Sequence, residues 1–191
     1  NATDKARMRA ALDRAGVPSP RFFTVEAAGA AVALPQGFCF PLVVKPVDNM
    51  GARGVRRVDT AAELQEAVAR ALRQSRSGRV IVEQYLEGPE LSLDAVVHDG
   101  TVTVCGVADR HICFPPYFVE MGHTMPSALE PGRLREAEQV FVDGIRALGI
   151  REGAAKGDVK VTGAGAVIGE IAARLSGGYM SGWTFPLSSG V

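Results

Sequence analysis

Two carboxylates, Asp158 and Glu170, stand in strand-like segments joined by a Gly-rich turn. If residues 162–166 form the turn, Val161 pairs with Val167, and counting back sets Asp158 opposite Glu170. A three-residue turn gives the same register. Period-2 alternation then puts Asp158, Lys160, Glu170, Ala172 and Arg174 on one face, with Val159, Val161, Ile171 and Ala173 toward a core. Carboxylates opposed on a sheet repel by roughly 0.2–1 kcal/mol, and more when desolvated. A hard divalent cation relieves that repulsion, and Mg²⁺ takes one or two carboxylates together with substrate phosphates. A solvated strand face relieves it too, with Lys160 and Arg174 as neighbouring counter-charges.

Lys45 ends an apolar run and is followed by the turn Gly51-Ala52-Arg53-Gly54. A lysine beside a turn rich in exposed backbone N–H groups suits a polyphosphate. The order differs from the P-loop, where the lysine follows the glycines. A hairpin with a solvent-facing lysine is the plainer alternative. In Val82-Glu83-Gln84-Tyr85-Leu86, followed by Glu90, an apolar strand runs into a Gly-Pro joint. Main-chain groups there suit a purine edge, and an acid nearby suits ribose hydroxyls. Taken alone, Glu83 and Glu90 read equally well as surface acids.

These residues need elements to hold them. Thr3 is the expected N-cap of a first helix in which Met8, Leu12 and Ala15 recur until Gly16. Strands are expected at 22–25, 41–45, 55–58 and 80–82. A helix capped by Thr60-Ala-Ala-Glu63 carries Leu64, Ala67, Val68, Ala71 and Leu72 on one face. Beyond the joint come a hairpin turning at Asp99-Gly100, a helix from 131 to 148, and the hairpin that holds the acid pair. Residues 109–127, rich in aromatics, Pro and His, read as a long irregular binding loop. Mixed strands and helices with hairpins dominating the second half indicate an α+β fold. The expected division is a connecting helix over 1–20, a small lobe over 21–84, and a second lobe over 85–191.

Lys and Arg number 21 and Asp and Glu 21, so the 191-residue chain has no formal net charge. This argues against bulk attraction to nucleic acid or to anionic membrane. No apolar run reaches membrane-spanning length and no leader is visible. The three cysteines, Cys39, Cys105 and Cys113, are expected to be buried reduced thiols of a cytoplasmic protein. Starting at Asn1 and ending at Val191, the chain reads as a piece of a longer one.

In order along the chain stand a lysine near the first helix, Lys-Pro with a Gly-rich loop, E-x-x-L with a second Glu, and an acid pair ending in E-x-x-x-R. This set resembles the ATP-grasp superfamily over almost the whole chain. The resemblance implies an ATP-grasp fold of two α+β lobes with the nucleotide between them, and ATP and Mg²⁺ as cofactors. Lys5 and Lys45 would contact ATP phosphates, with Gly51, Arg53 and Gly54 in a lid over them. Glu83 and Leu86 would offer backbone groups to adenine, and Glu90 would meet the ribose. Asp158 and Glu170 would hold the metal. Lys45 and Arg174 would neutralise charge during catalysis. The 109–127 segment resembles the acceptor region of carboxylate–amine ligases, with Glu120 and His123 toward substrate. The family's usual metal motif is E-x-N-x-R, and Ala172 stands here in place of Asn. The implied activity joins a small-molecule carboxylate to an amine through an acyl-phosphate, in a parent chain carrying a further N-terminal domain. A bicarbonate-activating enzyme of the biotin-carboxylase or carbamoyl-phosphate type is the second enzymatic reading. Its longer glycine run and retained Asn are missing here. A nucleotide-binding module without turnover is the third.

Overall fold

The computed structural model describes residues 2–26 and 32–190. Helix α1 (Lys5–Arg14) is capped by Asp4, whose carboxylate accepts from the Arg7 N–H; Thr3, the expected cap, lies one residue outside. Strands β1 (Phe22–Val25), β2 (Leu42–Pro46), β3 (Arg56–Val58) and β4 (Val80–Gln84) form an antiparallel sheet in the order β1-β4-β2-β3. Helix α2 (Ala61–Gln74) lies across it. Thr60 accepts from the Glu63 N–H, and the Glu63 carboxylate reaches back to the Asp59 N–H at 2.7 Å. The capping box therefore closes one residue earlier than usual.

The second sheet is also antiparallel, in the order β7-β6-β5-β8-β9. Its strands are β5 (Glu90–His98), β6 (Thr101–Cys113), β7 (Val119–Thr124), β8 (Gly153–Thr162) and β9 (Gly165–Ala172). Helix α3 (Pro131–Ala147) covers one face, driving Phe141 and Ile145 against Leu91, Leu93, Ile168 and Ile171. A π-helical turn (Met180–Thr184) and α4 (Phe185–Ser189) pack Met180 and Phe185 beside Ala108. Gly106 makes room for this, since a Cβ there would lie 1.9 Å from the Phe185 ring.

Helix α1 belongs to both halves. Met8, Ala11 and Leu12 enter the core of the larger sheet, while Ala6 packs with Val47 and Ile81 of the smaller. Polar side chains on the free face of the larger sheet are thereby held opposite those of the smaller.

Three expectations are corrected. Residues 109–127 are not an irregular loop: most belong to the β6–β7 hairpin, with pairs running from Asp109–Thr124 to Cys113–Val119. The cysteines are free but exposed, because Cys105 and Cys113 lie on outward positions of β6 and Cys39 precedes β2 in a loop. The β8–β9 turn has two central residues, so Val161 pairs with Ala166 rather than Val167. A bulge between Asp158 and Val159 then shifts the ladder by one, and Asp158 still faces Glu170. The expected pair is present through a different register.

Candidate functional site

A cleft runs between the free face of the larger sheet and the rim of the smaller, with about 910 Å³ of empty space, its open mouth included. Lys5, Lys45, Gly51, Glu83, Leu86, Glu90, Asp158 and Glu170, all expected at the site, line it.

β2 and β4 are neighbours, with Val43 opposite Glu83, so Lys45 lies two residues along on the same face. Its ammonium donates to Glu83 at 2.6 Å. Arg9, reaching in from α1, donates its Nε to the other Glu83 oxygen at 2.7 Å. Burial opposes ionisation of Glu83, but the attraction and hydrogen bonds of Arg9 and Lys45 outweigh it and hold its pKa down to about 2. Glu83 sits in the ladder between β1 and β2, and its carboxylate is a buried counter-ion. The resemblance assigned it only a backbone role.

From the larger sheet, Asp158 accepts from Lys156 at 2.5 Å and lies 3.2 Å from Arg110. Arg110 also bonds Glu90 and, at 2.7 Å, Glu120. Burial disfavours the Arg110 charge, yet Asp158, Glu90 and Glu120 raise its pKa. Lys160 adds a second cation 3.3 Å from Glu90. Lys5 donates to the Asn49 carbonyl at 2.7 Å and stands 3.5 Å from Glu170, bridging the two sides.

The cleft is thus lined by five bases (Lys5, Arg9, Lys45, Arg110, Lys160) and four carboxylates (Glu83, Glu90, Asp158, Glu170), one positive charge in excess. This local surplus is absent from the balanced whole chain and suits an anion that brings its own cation.

Five expected residues do not line this cleft. Arg53 folds back on the Met50 carbonyl at 3.1 Å, and Gly54 packs against Pro46 and Gln74 at a positive φ of +77°. Arg174 donates to the Leu175 carbonyl and is exposed. Glu120 is held by Arg110, and His123 is the cross-strand partner of Arg110, both on the edge strand β7. Burial lowers the His123 pKa, with Glu120 opposing and Arg110 assisting.

Arg9 and Arg110 were not singled out from the sequence. Arg110 leaves only a partial signal: counting from Asp99-Gly100 sets its neighbour Asp109 across β5 from Glu90, and the bulge between Asp94 and Ala95 moves Arg110 into that place. Arg9 also leaves a trace, for it interrupts the apolar stripe of α1 beside Met8 and Leu12.

Mg²⁺ fits the acid pair in a limited way. Asp158 and Glu170 are cross-strand partners, and both line the cleft as hard oxygen donors. Ala172, opposite Lys156, adds none. Among the described residues no group of three or more His, Cys, Asp or Glu side chains stands ready for a metal. The site suits one ion completed by phosphate oxygens and water, which is how Mg²⁺ is commonly held.

Two antiparallel sheets clasping a cleft, with phosphate-suited lysines on one side and a carboxylate pair on the other, define a nucleotide-grasping α+β fold. The chain belongs to the ATP-grasp family, whose ATP-grasp domain model matches residues 38–182. It is 30% identical over 154 residues to a D-alanine–D-alanine ligase of Marinobacter nauticus, covering 78% of this chain and 46% of that one. Carnosine synthase 1 of Gallus gallus is 28% identical over 156 residues, covering 75% of this chain and 17% of that protein. The crystal structure of an L-amino acid ligase from Bacillus licheniformis superposes with a TM-score of 0.85 at 26% identity, over 100% of this chain and 45% of that one. The chain therefore spans less than half the length of these relatives.

Proposed function

We propose that the chain supplies the nucleotide-binding and phosphoryl-transfer site of an ATP- and Mg²⁺-dependent ligase that joins a carboxylate to an amine. The observation that carries this is that Lys5 and Lys45 line one cleft with the cross-strand pair Asp158–Glu170, Lys5 standing 3.5 Å from Glu170. The names of the relatives supply the reaction class.

In this reading a substrate carboxylate oxygen attacks the γ-phosphorus of ATP, and ADP leaves. The amine nitrogen then attacks the acyl carbon, and inorganic phosphate leaves. Phosphoryl transfer asks mainly for positioning and charge neutralisation. Lys45 and Lys5 neutralise phosphate oxygens, with Lys45 aimed by its bond to Glu83. Arg174, exposed just beyond β9, is the residue that the family likeness assigns to the acyl-phosphate. Bound between Asp158 and Glu170, Mg²⁺ would supply Lewis-acid stabilisation of phosphate oxygens. Leu86 and Glu90 form the nucleoside end, while Glu120 and His123 face the substrate end. The low His123 pKa favours a neutral imidazole there at pH 7. A protein working in the cytoplasm on small-molecule carboxylates and amines suits this chemistry.

Hydroxylamine trapping tests the proposal on the full-length protein. Acyl hydroxamate should accumulate with ATP, Mg²⁺ and one member of a carboxylate panel. ATP binding without hydroxamate or ADP across carboxylate and amine panels would instead favour a non-catalytic module. One feature speaks for that second reading: Asp158 is already paired with Lys156 and Arg110, and Ala172 adds no ligand.

A further inference from the structure

Among the described residues, the most deeply buried charge outside the strands is Arg9, whose side chain is 1% exposed. Its guanidinium is shared between two strands, one from each sheet. Nε donates to Glu83 of β4 at 2.7 Å, Nη1 to the Ile168 carbonyl at 3.0 Å, and Nη2 to the Gly169 carbonyl at 2.5 Å. Those last two acceptors belong to the bulged stretch of β9. Glu170 comes next, and the bulge is what restores it to a position opposite Asp158.

The Gly169 region is tight. A Cβ at Gly169 would lie 3.0 Å from the Asp158 carbonyl. The Ile168 N–H donates to the Pro18 carbonyl, and the Ile168 and Gly169 carbonyls accept from Arg9 of α1. At the other end, Glu83 offers one oxygen to Arg9 and the other to Lys45. One planar, always-charged fork therefore holds the anchor of the phosphate lysine on the smaller sheet and the backbone before the metal acid on the larger. A lysine has the charge but cannot occupy three acceptors in this fixed plane.

We infer that Arg9 is a positioning residue that couples Lys45, through Glu83, to Glu170, through the β9 bulge, so that phosphate and metal contacts are set together. This rests on the proposed nucleotide site. It adds a residue whose guanidinium N–H groups are taken up by protein acceptors.

The test uses the full-length protein with Arg9→Lys and Arg9→Met, checked for folding by circular dichroism and thermal melting. Calorimetry then measures ATP affinity at a series of Mg²⁺ concentrations. A folded variant is expected to need about 10-fold more Mg²⁺ for half-maximal affinity, the range seen when outer partners of metal ligands are lost. Affinity in the absence of Mg²⁺ should also fall several-fold through Lys45. Arg9→Lys should be impaired nearly as much as Arg9→Met. A lowered melting temperature with an unmoved Mg²⁺ requirement, or failure of both variants to fold, would make Arg9 a core residue only and overturn the inference. Absence of ATP binding by the wild-type protein would instead remove the nucleotide reading beneath it.

Discussion

The ammonium of Lys45 and the carboxylate of Glu83 lie 2.6 Å apart on adjacent strands, with Glu83 2% and Lys45 19% exposed. The acid is inside and the base reaches out, so the pair aims a cation into the cleft instead of neutralising it there. Lys45→Ala keeps Glu83 paired with Arg9 and should keep the fold. ADP release by the full-length protein should fall by about 100-fold or more, the usual cost of losing one charge-stabilising group. Near-wild-type turnover would sink the assignment of Lys45.

Glu83 also sets an acid limit on stability. Its folded pKa of about 2 lies below the ordinary value of 4.5, so its contribution is fully present above the unfolded value. As pH falls from about 5 toward 2, the unfolded chain takes up the proton first and that contribution is lost. Two to three pKa units correspond to roughly 3 kcal/mol. Glu83→Gln should lower the melting temperature at pH 7, by stranding Arg9 and Lys45. It should also flatten the pH dependence below 5. Parallel melting curves for both proteins across pH 3–7 would refute this.

Counting back from the hairpin turn found the acid pair in the sequence, yet the count succeeded through two offsetting errors. A shorter turn moved the register by one and the β9 bulge moved it back. Bulges depend on what grips the backbone, here Arg9 from a helix far away in the chain, and no local pattern records that. Strand β7 was missed for another reason. Val119 and Met121 are exposed on an edge strand, so the apolar–polar alternation that reveals half-buried strands is absent. The cysteines misled similarly: apolar neighbours in sequence gave no warning that Cys105 and Cys113 face outward.

Exposure of the thiols has a direct consequence. All three should react with a chromogenic disulfide reagent in the native protein, giving three equivalents before any denaturant is added. Delayed reaction until unfolding would contradict the assigned faces of β6.

The joint between the two sheets depends on Gly88. Its φ is +135°, and a Cβ would fall 2.1 Å from the Val161 carbonyl oxygen. This neighbour is backbone, fixed by the Val161 N–H bond to Pro89, so a rotamer change cannot relieve the clash. Gly88→Ala should destabilise by about 2 kcal/mol or more, read as a drop in denaturation midpoint. Gly163→Ala, with nothing near its Cβ, serves as the neutral control.

Ala172 offers a gain-of-function test of the metal assignment. It is the cross-strand partner of Lys156, two residues beyond Glu170. An Asn there would restore the family's E-x-N-x-R spacing and bring an amide oxygen, a hard donor suited to Mg²⁺. If Asp158 and Glu170 hold the ion, Ala172→Asn should lower the Mg²⁺ concentration that half-saturates ATP binding by about 10-fold. Glu170→Gln in the same background should reverse the gain. The solvated-face reading of the acid pair predicts that neither change moves the Mg²⁺ requirement, and a titration of ATP affinity against Mg²⁺ separates the two.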